Sequence, residues 1–377
     1  MAVSEDARTG VDPLTLWVVP VADLGGVARH VLDVARAGLP GLRLAVLCPE
    51  GALAGRLREL GAAVFTGPFG PDAGLPASVR TLRRTVRALR PAVVHTHLAY
   101  ADLVAGIVLA ADRRTGLIST EHGIAPDDTL YNSGAAARVK NAAHRARLRR
   151  TDLVIAVAQS TAQVLAAKWA PPGPVRVIRN GVDVAAVRAA ATGERRRLGQ
   201  GLRVLSLARL APEKNLDRLV AALPALLEVD PGARLTLAGS GPLEADLRAQ
   251  AARLGVAHAV DLPGHVEPWG AMAQHDALVQ LSAWENLSYT LIDAAAAGLP
   301  AVATDVGGNG EILPAERLLP VDGTGPEAIV AALERAASEG PGQVHVDDVA
   351  AMAAATAQAE LDVVRRRGGR MLRTEAR

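Results

Sequence analysis

The sequence predicts an α/β protein built from two doubly wound domains, each with a parallel sheet between layers of helices. Short apolar runs of strand length alternate with amphipathic helical patterns along nearly the whole chain. The alternation pauses at a Pro/Gly-rich stretch, residues 171–174, and restarts after a polar, arginine-rich segment that ends near Gln200. The length of 377 residues is enough for about two domains.

The predicted strands follow one another at regular intervals, with helical patterns such as residues 79–89 between them. In the first half they are residues 14–19, 42–47, 93–96, 117–120 and 153–157, with a further short run at 175–178. In the second half they are residues 203–208, 234–238, 260–262 and 277–281. Residues 345–367 are predicted as a helix that precedes a basic tail.

These patterns divide the chain into a first domain at 1–170, a hinge at 171–200, a second domain at 201–344 and a C-terminal segment at 345–377. We expect the terminal helix to cross back to the first domain. Ligands of such sheets bind beyond the carboxyl ends of the strands. Two facing domains of this kind would place a ligand in the cleft between them.

The most informative stretch is residues 281–311, which is predicted as a loop, a short helix, an apolar strand and a glycine loop. Ser288 is a candidate N-cap, and Gly298 and Pro300 end the helix in the expected order. Glu285 precedes the helix and Asp293 lies within it. A helix N-terminus has unpaired N–H groups and a partial positive charge, which favours a diphosphate.

Two cations follow the first strand of the second domain. Arg209 comes directly after this strand, and Lys214 comes just before the next helix. Both are predicted to hold a leaving diphosphate, because cations at a strand end can pair with phosphate oxygens. Two glycine turns, at 239–241 and 307–310, are expected at the same sheet edge.

The first domain has candidates of its own. Gly25 and Gly26 follow the first strand and would let a backbone approach a phosphate or sugar, although a plain tight turn is an equal alternative. His122 follows the strand at 117–120, and both a structural and a functional interpretation stay open for it. His95 and His97 alternate with apolar residues and are expected to pack behind the site.

Composition limits the partners and cofactors. The net charge of +2 gives little reason to expect nucleic acid. Cys48 is the only cysteine, so an intramolecular disulfide is excluded. Neither an Asp-x-Asp at a strand end nor a Cys/His cluster is evident, and we expect no metal and no cofactor. Aromatic residues make up 2% of the chain, which predicts cores of Ala, Val and Leu.

The expected compartment is the cytoplasm, because the N-terminus lacks a signal-peptide pattern and no apolar run could span a bilayer. Arg80, Arg84 and Arg87 share one predicted helix face, and residues 138–150 hold seven basic side chains. Such faces are usually solvated. They could instead contact anionic lipid at the inner membrane face or a phosphorylated acceptor.

In their order along the chain, these motifs resemble the retaining glycosyltransferases of family 4, the glycogen-synthase-like group with the GT-B fold of two Rossmann-like domains. The resemblance covers nearly the whole chain. The matching motifs are Gly25-Gly26, His122, Asn180 to Asp183, residues 209–214, Gly239 to Gly241, Glu285 with Asp293, and Gly307 to Asn309 with Glu311. The family usually has a second Glu where this chain has Asp293.

The resemblance implies a metal-independent hexosyltransferase that moves a sugar from a nucleotide-diphosphate sugar, UDP- or GDP-linked, to an unknown hydroxyl acceptor in bacterial glycan, glycolipid or natural-product biosynthesis. It implies that Glu285 contacts the donor sugar, that Arg209 and Lys214 hold the diphosphate and that His122 lies near the sugar. Asp293 would bind the ribose, through a shifted backbone or a water. Further implied donor contacts are Gly25, Gly26, Gly241, His265, Val266, Asn286, Leu287 and Ser288.

Two alternatives remain open at this point. One is a nucleotide-sugar epimerase or hydrolase on the same scaffold, and the other is a catalytically silent sugar-nucleotide-binding subunit. The acceptor is expected to be selected by loops of the first domain, with residues 124–137 as the candidate segment.

Overall fold

The computed structural model describes residues 11–124 and 135–375, with the backbone alone described for 135–140 and 369–375. The chain divides into two units. Unit 1 consists of the residues up to Asn180 together with those from Val349, and unit 2 is Gly181–Asp348. The boundary falls inside the predicted hinge at 171–200. The assignment of an acceptor to the first domain and a donor to the second stays a prediction.

Unit 1 is built on a seven-stranded parallel sheet. Its strands are β1 Leu14–Val18, β2 Arg43–Cys48, β3 Ala63–Thr66, β4 Val93–His97, β5 Gly116–Glu121, β6 Leu153–Ala156 and β7 Val175–Val177. Their order is β3-β2-β1-β4-β5-β6-β7, so the chain starts in the middle of the sheet and builds outward in both directions. The doubly wound topology is confirmed.

Six helices of the described part of unit 1 connect these strands. They are α1 Gly26–Ala37, α2 Ala52–Glu59, α3 Leu75–Leu89, α4 Ala99–Val108, α5 Ala135–Leu148 and α6 Gln159–Trp169. The central strands β4 and β5 are buried along their whole length, because helices cover both faces of a parallel sheet. Sequence analysis missed β3, whose side chains are half-exposed or exposed and which lies at the sheet edge.

Unit 2 has a six-stranded parallel sheet and a small two-stranded one. Its elements are β8 Gly181–Val182, β9 Arg203–Leu207, β10 Arg234–Ala238, β11 Val260–Gly264, β12 Ala277–Gln280, β13 Ala301–Thr304, β14 Leu318–Leu319 and β15 Asp347–Asp348. The large sheet has the order β11-β10-β9-β12-β13-β14, and β8 pairs with β15. The helices are α7 Val184–Ala190, α8 Leu216–Val229, α9 Glu244–Arg253, α10 Pro268–Ala273, α11 Tyr289–Ala296 and α12 Pro326–Glu339.

The last helix, α13 Val349–Glu375, belongs to unit 1. It begins four residues after the predicted start and packs on α1 and on the strands β4 and β5. Met352, Ala357 and Val363 of this helix lie in the same apolar cluster as Val31 of α1.

The main apolar cluster of unit 2 consists of buried Ala, Val, Leu and Ile side chains, which confirms the predicted aliphatic packing. Unit 1 differs, because the indole of Trp17 on β1 is fully buried in its core. Within the described residues, no helix is long and apolar enough to cross a membrane.

Candidate functional site

The predicted donor-site residues of unit 2 lie at one edge of its large sheet. All strand pairs in this sheet are parallel, so the carboxyl ends of β9 to β13 meet at that edge. Arg209 follows β9, Gly239 follows β10, His265 follows β11 and Glu285 follows β12. The sequence therefore predicted correctly which loops come together.

Lys214 and Glu285 form an ion pair across this edge. Lys214 Nζ donates to Glu285 Oε1, and the same oxygen accepts a hydrogen bond from Ser282 Oγ at 2.7 Å. The two side chains remain 20% and 16% exposed, so a ligand can reach both. Ser282 was not predicted from the sequence. Its position directly after the run 277–281 was the available signal.

The neighbouring cation, Arg209, is held less firmly. Its guanidinium donates to Glu213 Oε1 at 2.5 Å, yet the side chain is 70% exposed. An exposed ion pair contributes little to stability, so Arg209 can exchange partners at low cost. The backbone oxygen of Glu213 accepts a hydrogen bond from the Ala283 nitrogen at 2.8 Å. This bond connects the loop after β9, which carries the cations, to the loop after β12, which carries Glu285.

Glycines allow three loops to pack closely at this edge. A Cβ added at Gly239 or Gly241 would overlap the carbonyl oxygen of Ala208 or Leu210, respectively. A Cβ at Gly307 would overlap the carbonyl of Glu285, and its φ of +54° is in the left-handed region. Only glycine fits these positions without movement of the backbone, so the glycine turns position the Lys214–Glu285 pair.

The short helix α11 begins directly after the pair. Ser288 caps it, accepting from the Leu291 nitrogen at 3.4 Å and donating to Gln280 Oε1 at 2.8 Å. The predicted N-cap is confirmed. Asp293, the predicted ribose ligand, is only 2% exposed. Of the other predicted contacts, Asn286 is half-buried and Leu287 is buried.

The predicted donor contacts His265 and Val266 directly follow β11, where His265 is exposed and Val266 is half-buried. A groove of about 660 Å³ runs beside this strand and is lined by Val266, Thr236, Arg248 and His275, among others. It includes neither Lys214 nor Glu285. Lys214 and Arg209, which supply the positive charge predicted to hold the diphosphate, do not line this groove.

The glycines predicted to contact the donor in unit 1, Gly25 and Gly26, are exposed at the start of α1. A Cβ at either position would meet no atom within 4 Å. Packing within unit 1 therefore does not require glycine here, in contrast to Gly241 and Gly307. An approaching ligand is one reason for glycine at such a place.

His122 is not alone but lies in a cluster with the buried His30 and His97. His97 Nδ1 is 2.8 Å from His122 Nε2, and the rings of His30 and His122 are 4.8 Å apart. Burial, followed by repulsion from neighbouring histidines, lowers the pKa of His97 and of His122 well below the usual value. The same causes, partly opposed by a hydrogen bond with Asn180, lower the pKa of His30 to about 3.

The expectation that the chain has no histidine cluster is wrong. His30, His97 and His122 each have a ring nitrogen within 4.8 Å of the others, a spacing that could hold a divalent cation. Sequence spacing could not reveal this cluster, because its members come from α1, from the end of β4 and from the loop after β5. The absence of a catalytic metal stays a prediction.

A second buried network lies beneath the histidines. Glu360 of α13 accepts from Trp17 Nε1 at 2.8 Å and contacts His95 Nδ1 at 2.6 Å, while His95 Nε2 lies 2.7 Å from Thr120 Oγ1. All these contacts are inside unit 1. His95 and His97 are completely buried, which agrees with the predicted packing role. The contribution of Glu360 was missed, because it is 265 residues from His95.

The prediction that the basic residues of 138–150 are solvated is wrong in part. The side chain of Arg147 is fully buried and pairs with Asp102 and Glu121. Arg150 donates to three backbone carbonyls, those of Leu109, Asp112 and Thr115. The spaced basic residues are typical of a solvated helix face. Arg147 is buried nonetheless, because acidic residues on other elements pair with it. Most of the candidate acceptor segment, 124–137, lies outside the described residues.

Helix α3 keeps the predicted basic face. Arg80, Arg83, Arg84 and Arg87 are exposed and line a shallow groove of about 550 Å³. None of the four makes a hydrogen bond or ion pair with another described residue. The opposite face holds the fully buried Leu82.

Two family profiles match the chain. Residues 24–186 match Glycosyltransferase Family 4, and residues 194–350 match Glycosyl transferases group 1. The glycogen synthase of Mycobacterium tuberculosis is 32% identical over 330 residues, which cover 78% of this chain and 78% of that protein. The GDP-mannose-dependent alpha-(1-6)-phosphatidylinositol monomannoside mannosyltransferase of the same organism is 34% identical over 174 residues, or 42% of this chain and 45% of that one.

Solved structures agree with the observed fold. Anabaena Alr3699/HepE in complex with UDP-glucose has a TM-score of 0.71 at 20% identity, with 95% of this chain and 99% of that chain covered. The sucrose-phosphate synthase of Thermosynechococcus elongatus has a TM-score of 0.68 at 18% identity, with 96% and 99% covered. The two-domain GT-B architecture is therefore the fold of this chain.

Proposed function

This chain belongs to the family 4 glycosyltransferases, and we propose that it transfers a sugar from a UDP- or GDP-sugar to an acceptor hydroxyl with retention of configuration and without a metal ion. Membership of this family makes it a glycosyltransferase that acts on nucleotide sugars. The single observation that supports the proposed mechanism is the ion pair of Lys214 with Glu285 at the carboxyl edge of the unit 2 sheet.

In this proposal, the donor diphosphate replaces the two carboxylates that pair with the cations in the free protein. Arg209 would exchange Glu213 for one phosphate, and Lys214 would exchange Glu285 for the other. Glu285 would then be free to accept hydrogen bonds from the donor sugar. Charged donors at a phosphate form stronger hydrogen bonds than neutral ones, so the cations favour the departing diphosphate. This positive charge comes from side chains, which is why we propose that no metal is required.

The proposed chemical step breaks the bond between the anomeric carbon and the phosphate oxygen, and the electron pair leaves with the diphosphate. The acceptor oxygen bonds to the same carbon from the same face, and its proton passes to the departing phosphate. Because this path needs no protein nucleophile, the residues at the site have only to stabilise charge and orient the acceptor. His122 of unit 1 is proposed to contact the transferred sugar.

Support for the donor class comes from two similar proteins. Anabaena Alr3699/HepE was solved with UDP-glucose, and one M. tuberculosis relative is named as GDP-mannose-dependent. A UDP- or GDP-sugar is therefore the first choice of donor. The acceptor stays a hydroxyl compound of a class that we do not assign.

The experiment that tests this function analyses products from ¹³C-labelled UDP- and GDP-sugars with and without a panel of lipid, glycan and small-molecule hydroxyl acceptors. The proposal predicts that the label moves to an acceptor, with the anomeric configuration of the donor retained in the NMR spectrum. Free or isomerised sugar in the absence of acceptor would favour a hydrolase or epimerase. Binding of a donor with no product under any condition would favour a silent binding subunit.

A peripheral membrane contact is proposed at α3. Four exposed arginines form one face of this helix and have no acidic partner among the described residues. A face of that kind attracts anionic headgroups by about 1 kcal/mol for each basic residue close to the surface. This contact would bring the protein to a lipid-linked acceptor, and vesicle binding tests it.

A further inference from the structure

His97 and His122 make a direct contact that requires one proton between them. His97 Nδ1 and His122 Nε2 are 2.8 Å apart, and the two rings are stacked at 5.1 Å with 27° between their planes. One nitrogen must donate and the other accept, because two lone pairs or two N–H groups at this distance would repel. The contact therefore links the tautomer of one ring to that of the other.

Burial favours the neutral form of both rings. His97 is completely buried, its ring lies against Trp17 and His95, and the lowered pKa values of His97 and His122 have burial as their largest cause. A neutral imidazole has a single N–H group, so only two arrangements remain. Either His97 Nδ1 donates to His122 Nε2, or His122 Nε2 donates to His97 Nδ1.

The far nitrogen of His97 distinguishes the two arrangements. His97 Nε2 is buried and has no hydrogen-bond partner among the described residues. If His122 were the donor, His97 would hold its proton on Nε2, and a buried N–H group without an acceptor costs about 1–3 kcal/mol. Buried donors are left unpaired more rarely than buried acceptors. The structure thus favours His97 Nδ1 as the donor.

A shared metal ion fits this pair less well than a hydrogen bond. Two nitrogens that bind one tetrahedral Zn²⁺ at about 2.0–2.1 Å lie roughly 3.3 Å apart. The observed separation of 2.8 Å is the length of an N–H···N hydrogen bond.

We propose that His97 is a positioning residue that holds His122 as the Nδ1–H tautomer, so that His122 presents an N–H donor to an oxygen of the bound sugar. His122 is only partly buried and directly follows β5, at the carboxyl edge of the unit 1 sheet, where ligands of such folds bind. A sugar hydroxyl or ring oxygen can accept this hydrogen bond. The proposal rests on the proposed role of His122 in sugar transfer, but the tautomer itself can be measured without turnover.

The first test is ¹⁵N NMR of the imidazoles in the full-length protein labelled at histidine. The chain has nine histidines, and comparison with His122→Gln assigns the signals of His122. We expect a protonated Nδ1 and an unprotonated Nε2 on His122 in the wild type. A protonated Nε2, or a metal bound stoichiometrically and removed together with a shift of these signals by chelator, would overturn the proposal.

The second test compares three substitutions of His97 in donor turnover. Asn places an amide N–H near the position of Nδ1, Gln places it near the position of Nε2, and Leu removes it. We expect His97→Asn to keep kcat within about threefold of wild type, and His97→Gln and His97→Leu to lower kcat by about tenfold or more, the usual range for one positioned hydrogen bond. Equal losses in folded Asn and Leu variants would contradict a positioning role. If the wild type shows no turnover with any donor, the proposed function fails, while the NMR result still decides the tautomer.

Discussion

Lys214 and Glu285, 71 residues apart in the sequence, form an ion pair at the carboxyl edge of the unit 2 sheet. The pair exists because a loop after β9 and a loop after β12 lie side by side, and because Gly307 lets a third loop pack on the backbone of Glu285. In the free protein each side chain neutralises the other. In the proposed complex, the donor diphosphate pairs with Lys214 and the donor sugar contacts Glu285.

Removal of either charge should slow sugar transfer. Lys214→Ala and Glu285→Ala are each expected to lower kcat by about 10²-fold or more, as loss of a charge that stabilises a transition state does elsewhere. Steady-state release of nucleoside diphosphate measures the effect. Arg56→Ala is the matched control, because Arg56 and Glu59 form an exposed ion pair on α2. Near-wild-type turnover in both test variants would remove these residues from the proposed mechanism.

The glycine turns of unit 2 should tolerate no side chain. Gly307→Ala places a Cβ against the Glu285 carbonyl at a φ of +54°, and we expect a loss of at least about 2 kcal/mol in the free energy of unfolding. Chemical denaturation measures it. Gly106→Ala, with no atom within 4 Å of the added Cβ, should lose no stability. If the two substitutions lower the free energy of unfolding equally, the loops that contain Gly307 and Glu285 do not approach each other this closely.

The buried histidines should destabilise the protein in acid. Burial holds the pKa of His30 near 3 and those of His97 and His122 well below 6.5, so the folded protein binds fewer protons than the unfolded chain below about pH 6.5. The contribution of these neutral histidines to the free energy of unfolding is therefore fully present above pH 6.5. It is lost as the pH falls, by about 1.4 kcal/mol per pH unit for each histidine.

Denaturant unfolding of His30→Leu between pH 7 and pH 4.5 tests this prediction, and the slope should fall by about 1.4 kcal/mol per pH unit. His258→Gln is the control, because His258 is exposed and lies in unit 2. An unchanged slope in His30→Leu would mean that His30 is not a buried neutral group.

The basic face of α3 should bind anionic vesicles. We expect the protein to bind phosphatidylglycerol-containing vesicles but not phosphatidylcholine vesicles, with affinity that falls as salt rises. The double variant Arg83→Glu, Arg87→Glu should lose at least tenfold in affinity, while Arg248→Glu should not. Sedimentation with vesicles measures this. Equal binding by the two variants would exclude α3 as the contact.

Much of the fold could be predicted from the sequence, because it depends on local periodicity. The ten regular strand predictions each overlap an observed strand, and the N-cap at Ser288 is where the pattern places it. The strand β3 was missed, since an edge strand with exposed side chains lacks an apolar run.

The candidate site was predictable where its residues directly follow strands, as Arg209 and Glu285 do. It was not predictable where contacts depend on how distant elements pack. No local sequence pattern indicates that Glu360 of α13 contacts His95, or that His30 lies beside His97 and His122. Arg147 shows the same limit, because its acidic partners lie on other elements.

The most direct test of the central claim is nucleoside-diphosphate release from a panel of UDP-, GDP-, ADP- and TDP-sugars in the presence of EDTA, with wild type and Lys214→Ala side by side. We expect release from a UDP- or GDP-sugar by the wild type, undiminished by EDTA and about 10²-fold slower in the variant. Release that is abolished by EDTA and restored by a divalent cation, or that is equal in the two proteins, would contradict it.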